Sequence, residues 1–238
     1  MFEAEAAGVE LLAAAQCVRI PRAIGTGLSH DVAWICLEHV DLQPRDARTD
    51  AKLGVQLAAL HRVTEGRYGW ERDNTIGPTP QRNAWSGDWV SFWSNARLRP
   101  QLELAADNGY GGRLRADGEK LLERIGDFFT AYAPVPSLLH GDLWSGNAAA
   151  DEAGAPVIFD PAVYYGDRES DVAMTELFGG FAPDFYAAYR GVWPLDSGYG
   201  TRRDLYNLYH VLNHLNLFGR SYLGQAERLI GRLLSAVG

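Results

Sequence analysis

Two short apolar runs constrain this chain more than any other feature. In VPSLLHGDL and again in PVIFDPA, a few strand-forming residues break off at a loop that carries an acid, Asp142 in the first and Asp160 in the second. Each reads as a short buried strand running into a loop. Nearly everything after Arg168 has helical spacing, including a long amphipathic pattern from Arg202 to the C-terminus. Leu205, Leu208, Leu212, Leu215 and Leu217 form its apolar face. The expected architecture is a thin β-containing N-terminal piece followed by a larger helical body, with the loops near 140 and 160 hanging between short strands.

The remaining segments fit that outline. Phe2 to Gln16 is helical, and RIPRAIGTG breaks the helix with Pro21, Gly25 and Gly27. Ala33 to Asp41, AWICLEHVD, is rich in β-formers and reads as a strand. Asp50 to Val63 is a second helix with Leu53, Leu57 and Leu60 on one face. The stretch YGWERDNTIGPTPQRNAWSGDW is loop-like, while Trp89 to Leu104 and Asp117 to Tyr132 are helical.

Composition argues against several classes. With 22 basic against 30 acidic residues and a net charge of −8, the chain shows no run of Lys or Arg that suggests a nucleic-acid face, and the acidic balance argues against one without excluding it. Two cysteines, Cys17 and Cys36, make neither a disulfide framework nor a metal knuckle, and the simplest expectation is a reduced, cytoplasmic protein. Acids stand near the N-terminus where a secretory signal carries bases. No stretch approaches the roughly 20 apolar residues of a membrane span.

Asp142, Asn147 and Asp160 carry the chemistry. Moving a phosphoryl group requires positioned, neutralised phosphates and a base beside the accepting hydroxyl. An Asp at that hydroxyl, an Asn five residues on and a further Asp on metal is the kinase arrangement, and oxygen donors of this kind suit Mg²⁺. Gly141 and Gly146 are expected to let the loop turn tightly around these side chains. A lone Asp or Asn in such a loop is more often a turn residue. The joint pattern HGDxxxxN followed by an apolar strand ending in Asp-Pro is not explained that way. His140 is expected to support the loop from a buried position, and the cysteines to be core residues.

LLHGDLWSGN, FDPAVYYGDRESDVAM and LFGGF resemble the fructosamine kinase (ketosamine 3-kinase) family, with support from LGVQLAALHR, DNTIGPTPQRN, DWVSFWSNARLRPQ and YNLYHVLNHLNLFG. The similarity runs from Phe2 over essentially the whole chain. It implies an α+β, protein-kinase-like (aminoglycoside phosphotransferase-like) fold. Residues 1–43 become the remnant of a truncated N-terminal nucleotide-binding lobe, and 44–238 a mostly helical C-terminal catalytic lobe. The implied reaction moves the ATP γ-phosphate to the 3-hydroxyl of a ketosamine, a glycated amine or protein, with Mg²⁺. Asp142 is then the catalytic base, Asn147 and Asp160 are metal ligands, and the backbone of Glu38 and Val40 meets adenine. Trp144 packs on the sugar, and Arg168 to Asp171 brace the catalytic loop.

The family pattern also places a glycine-rich turn and a strand-borne lysine before the first helix. Glu5 matches the glutamate that pairs with this lysine, but neither Lys52 nor Lys120 stands where the partner should. The expectation is a late-starting version of a normal kinase, with turnover reduced by orders of magnitude as written. Its uncovered strand edge would favour a homodimer. Two alternatives remain open: a kinase of another small hydroxyl compound, aminoglycoside- or choline-like, and a non-catalytic ligand-binding pseudokinase.

Overall fold

The computed structural model describes residues 1–238. Helix α1 (Phe2–Ala14) buries Val9 and Leu12. It is followed by an antiparallel hairpin, β1 (Ala23–Ser29) with β2 (Val32–Leu37). The segment expected to be a mere break is therefore a strand, and the expected strand to Asp41 ends at Leu37. Gly27 of β1 serves packing: a Cβ there would stand 2.4 Å from the Trp34 ring that lies across it. Ile24, Leu28, Val32 and Trp34 stay exposed on this hairpin.

Helix α2 (Ala47–Leu60) begins three residues before the expected Asp50, because the Asp46 carboxylate accepts the Thr49 amide at 2.7 Å and caps it. Leu53, Leu57 and Leu60 are fully buried, as their spacing requires. The stretch taken as loop contains a second hairpin, β3 (Asn74–Ile76) with β4 (Thr79–Gln81). Helix α3 (Trp89–Phe92) continues through a π-helical segment, Trp93–Leu98, into α4 (Arg99–Asp107). Pro100 has no N–H to offer the Ala96 carbonyl, which accepts the Arg97 guanidinium at 3.0 Å instead. The widened turn thus has a cause in the sequence.

Helix α5 (Arg113–Arg124) starts before the expected Asp117 and ends in a short 3₁₀ turn. Two small antiparallel pairs then form the platform of the site. Strand β5 (Ser137–Leu139) pairs with β8 (Tyr164–Gly166), and β6 (Ala148–Ala150) with β7 (Pro156–Ile158). Helices α6 (Glu169–Leu177), α7 (Pro183–Val192), α8 (Tyr199–Phe218) and α9 (Leu223–Ala236) complete the helical body. The long C-terminal pattern is thus two helices broken at Gly219. Leu205, Leu208, Leu212 and Leu215 are buried in the core, but Leu217 lines a cavity instead. No helix is long and apolar enough to cross a membrane.

Candidate active site

The loop between β5 and β6 is held from beneath by one buried carboxylate. Asp171, in the first turn of α6, accepts the backbone amides of His140 at 2.7 Å and Gly141 at 2.9 Å. His61 from the end of α2 approaches the same carboxylate at 3.2 Å, and its other ring nitrogen meets the Tyr189 hydroxyl at 2.8 Å. Burial works to raise the Asp171 pKa. The His61 hydrogen bond, the two imidazoles and the Gly141 amide outweigh it and hold the group below the usual carboxylate range. Arg168 donates to Tyr189, Trp193 and Pro194 and so anchors the start of α6.

His140 is fully buried, with Nε2 3.0 Å from the Phe159 carbonyl and Nδ1 3.3 Å from the Asp142 amide. Burial pushes its pKa down, so the ring is a neutral prop between the two acid-bearing loops. Gly141 has φ +83°, and a Cβ there would sit 2.0 Å from the Ala162 oxygen. Gly146 differs from expectation. Its φ is not positive; its missing Cβ makes room for the Trp144 ring, which a side chain would meet at 2.2 Å.

Asn147 joins the two acids. Its Nδ2 donates to the Asp142 carbonyl at 2.9 Å and the Asp160 carbonyl at 3.3 Å, and lies 3.5 Å from Asp142 Oδ2. With the nitrogen committed to oxygens, Oδ1 remains the uncommitted acceptor. Asp160 follows β7 with φ +57°, a left-handed conformation unusual outside glycine but tolerated by Asp and Asn. Asp142 and Asp160 both line two adjoining cavities. The Asp142 carboxyl is pushed up to about 7, first by burial and then by the Asp160 and Asp171 charges.

The first cavity, about 410 Å³, is bounded by Glu5 and Phe2 of α1, Thr75, Gly77 and Pro78. Burial and Asp160 together raise the Glu5 pKa, and no lysine or arginine lines this space. The second, about 530 Å³, is walled by Trp144, Phe178, His210, His214, Leu217 and Tyr222. Trp144 is 40% exposed, with its ring edge-on to Phe178 at 6.5 Å. At the chain segment after β2, the Glu38 amide is taken by the Arg22 carbonyl at 2.8 Å. The Glu38 carbonyl and Val40 amide carry no hydrogen bond within the protein.

The donor set suits a hard divalent ion. Asn147 Oδ1 and the Asp160 carboxylate are oxygen ligands, and no group of three or more His, Cys, Asp or Glu offers a full shell. An ion held here would complete its coordination with water and phosphate oxygens, as Mg²⁺ commonly does.

Sequence reasoning missed several residues of this region. His210 and His214 stand four apart on α8, and this spacing within an otherwise apolar face was the available signal. Arg45 gave no signal. Its buried guanidinium pairs with Asp50 at 2.7 Å and donates to the carbonyls of Ser145 at 3.1 Å, Ala148 at 2.5 Å and Gly180 at 2.8 Å.

A strand-poor platform, an acid-bearing loop and an Asp-Pro turn on a helical body define a protein-kinase-like phosphotransferase. The family model for fructosamine kinase matches residues 1–236, and the chain belongs to that family. A Synechocystis sp. protein assigned as a ketoamine kinase is 44% identical over 98% of this chain and 79% of its own length. The chloroplastic protein-ribulosamine 3-kinase of Arabidopsis thaliana is 43% identical over 97% of this chain and 71% of its own. The crystal structure of a Haemophilus somnus 129PT protein assigned as a fructosamine-3-kinase superposes with a TM-score of 0.90. That likeness has 30% identity over 98% of this chain and 79% of that one. An aminoglycoside phosphotransferase in complex with ADP and hygromycin B, at 13% identity and TM-score 0.65, shares the fold, over 97% of this chain and 82% of its own.

Proposed function

We propose that the chain transfers the γ-phosphate of ATP to the 3-hydroxyl of a ketosamine, the adduct of a sugar with an amine. The position of Asp142 carries this reading. It stands where the two cavities meet, tied to Asp160 through one asparagine amide. The cavity beside Glu5 and Asp160 receives the triphosphate, and the aromatic cavity receives the sugar adduct. Residues 1–43 contribute the nucleotide side, where the Glu38 carbonyl and Val40 amide, without hydrogen bonds inside the protein, would meet adenine. Residues 44–238 contribute the catalytic groups.

Asp142 accepts the proton of the hydroxyl as its oxygen bonds to phosphorus and the bond to the bridging oxygen of ADP breaks. Asn147 Oδ1 and the Asp160 carboxylate would hold Mg²⁺, which would offset phosphate charge. Trp144 gives the sugar a flat face, and its exposed ring suits a cationic amine. Phosphorylation at the 3-hydroxyl makes the adduct labile, so the free amine is restored.

The test is ADP release and ³¹P NMR with fructosyl-lysine and ribulosyl-lysine, beside an aminoglycoside and choline. A phosphomonoester on the ketosamine alone is expected. Transfer to the aminoglycoside or choline in preference to both ketosamines would overturn the substrate assignment.

A further inference from the structure

The β3–β4 hairpin stands between the two cavities. Its register, Asn74 with Gln81, Thr75 with Pro80 and Ile76 with Thr79, leaves Gly77 and Pro78 as a two-residue tip. Adjacent residues of a strand point to opposite faces, and here they reach different spaces. Thr75 lines the cavity that holds Glu5, whereas Ile76 lines the one that holds Trp144. Gly77 borders both, as do Asp142 and Asp160.

The hairpin is fixed at its base by buried side-chain amides. Asn74 Nδ2 donates to the Val163 carbonyl at 2.9 Å, and Gln81 Nε2 to the Ala162 carbonyl at 3.1 Å and to Asn74 Oδ1 at 2.8 Å. Tyr209 on α8 donates to Gln81 Oε1 at 2.8 Å, one residue before His210. Asn213 of the same helix reaches the Ile76 carbonyl at 3.5 Å. The hairpin is therefore tied both to the segment that follows Asp160 and to the helix that walls the aromatic cavity. A chain held on both sides in this way cannot swing aside without breaking several buried hydrogen bonds.

We infer that this hairpin is a fixed partition between the two reactants, with Thr75 a determinant of nucleotide affinity and Ile76 a determinant of acceptor fit. This rests on the reading of the two cavities as donor and acceptor sites. Phosphoryl transfer gains most from holding both partners in line at short range. A rigid wall that lets the two cavities meet at Asp142 and Asp160 imposes that alignment: a sugar packed against Ile76 presents to the phosphate the hydroxyl that reaches past Gly77. Ile76 is 3% exposed, so its side chain sets the shape of the acceptor space rather than lying loosely on it.

Two substitutions separate the roles, read by calorimetric binding of Mg²⁺–ADP and of fructosyl-lysine to the full chain. Ile76→Val removes one methyl group from the acceptor wall and weakens or redirects ketosamine binding by about tenfold. Its Mg²⁺–ADP affinity stays within about twofold, as expected for separate sites. Thr75→Glu adds a negative charge beside the phosphates and weakens Mg²⁺–ADP by about tenfold or more, with the ketosamine unaffected. Thermal unfolding checks that both variants are folded, and Ile76→Val is conservative enough to remain so. Parallel losses of both ligands in each variant, or unchanged affinities in both, would overturn the partition alone. Failure of the unsubstituted chain to bind either ligand would instead overturn the cavity assignment on which it stands.

Discussion

Asp171 holds the backbone amide of Gly141 at 2.9 Å, one residue before Asp142. Because the same carboxylate also takes the His140 amide and faces His61, its removal leaves buried donors without a partner. Asp171→Ala is expected to lower stability by about 3–5 kcal/mol, the range for breaking a buried charged contact. Urea unfolding measures it, and a loss below about 1 kcal/mol would show that the carboxylate does not anchor the loop.

Arg45 ties the catalytic loop to the segment at Gly180, and its side chain is 7% exposed. Arg45→Lys keeps the charge but cannot reproduce a planar fork reaching several carbonyls at once. It should cost about 1–3 kcal/mol, less than Arg45→Gln, which also strands Asp50 in the interior. Denaturation midpoints for the two variants order them; equal midpoints would contradict the bracing role.

His210 is buried with Nδ1 making no hydrogen bond and lying 3.9 Å from Asp142 Oδ1, and burial, then His214, pushes its pKa down to about 3. The folded value lies below the unfolded one, near 6.5. Below that pH the unfolded chain binds the extra proton and gains. The neutral ring's contribution is fully present above about pH 6.5 and is lost as pH falls toward the folded value. Relative to His210→Asn, the unsubstituted chain should lose about 2 kcal/mol more between pH 8 and pH 5. Parallel stability profiles for the two proteins would contradict this. Using the variant as reference matters, since the raised carboxyls of Asp142 and Glu169 act with the opposite sign over the same range.

Asp160→Asn should weaken nucleotide binding in the presence of Mg²⁺ by more than about tenfold, since even outer partners of a metal are worth that much. Without Mg²⁺ the same substitution should change little or improve binding by removing a like charge. Titrations with and without the metal that gave the same ratio of affinities would count against Asp160 as a ligand.

The helical body was legible because burial leaves a period in the sequence: Leu53, Leu57 and Leu60 on α2 and Leu205 to Leu215 on α8 sit where their spacing puts them. The acid-bearing loops were legible for a different reason, since spacing and residue type together describe a chemistry. What stayed hidden depends on contacts distant in sequence. Nothing near Gly25 and Gly27 announces that Trp34 will cover them, and nothing near Arg45 announces carbonyls about a hundred residues away. The β3–β4 hairpin was hidden by its own brevity, with Gly, Pro and Asn outnumbering strand-formers.

The assignment of Asp142 is tested most directly by the transfer rate of Asp142→Asn with saturating ATP and ketosamine, measured beside its Mg²⁺–ADP affinity. Loss of the base predicts a rate reduced by about 10²–10⁴-fold with nucleotide binding nearly intact. A variant that phosphorylates the ketosamine at close to the original rate would contradict the role given to that carboxylate, and with it the mechanism.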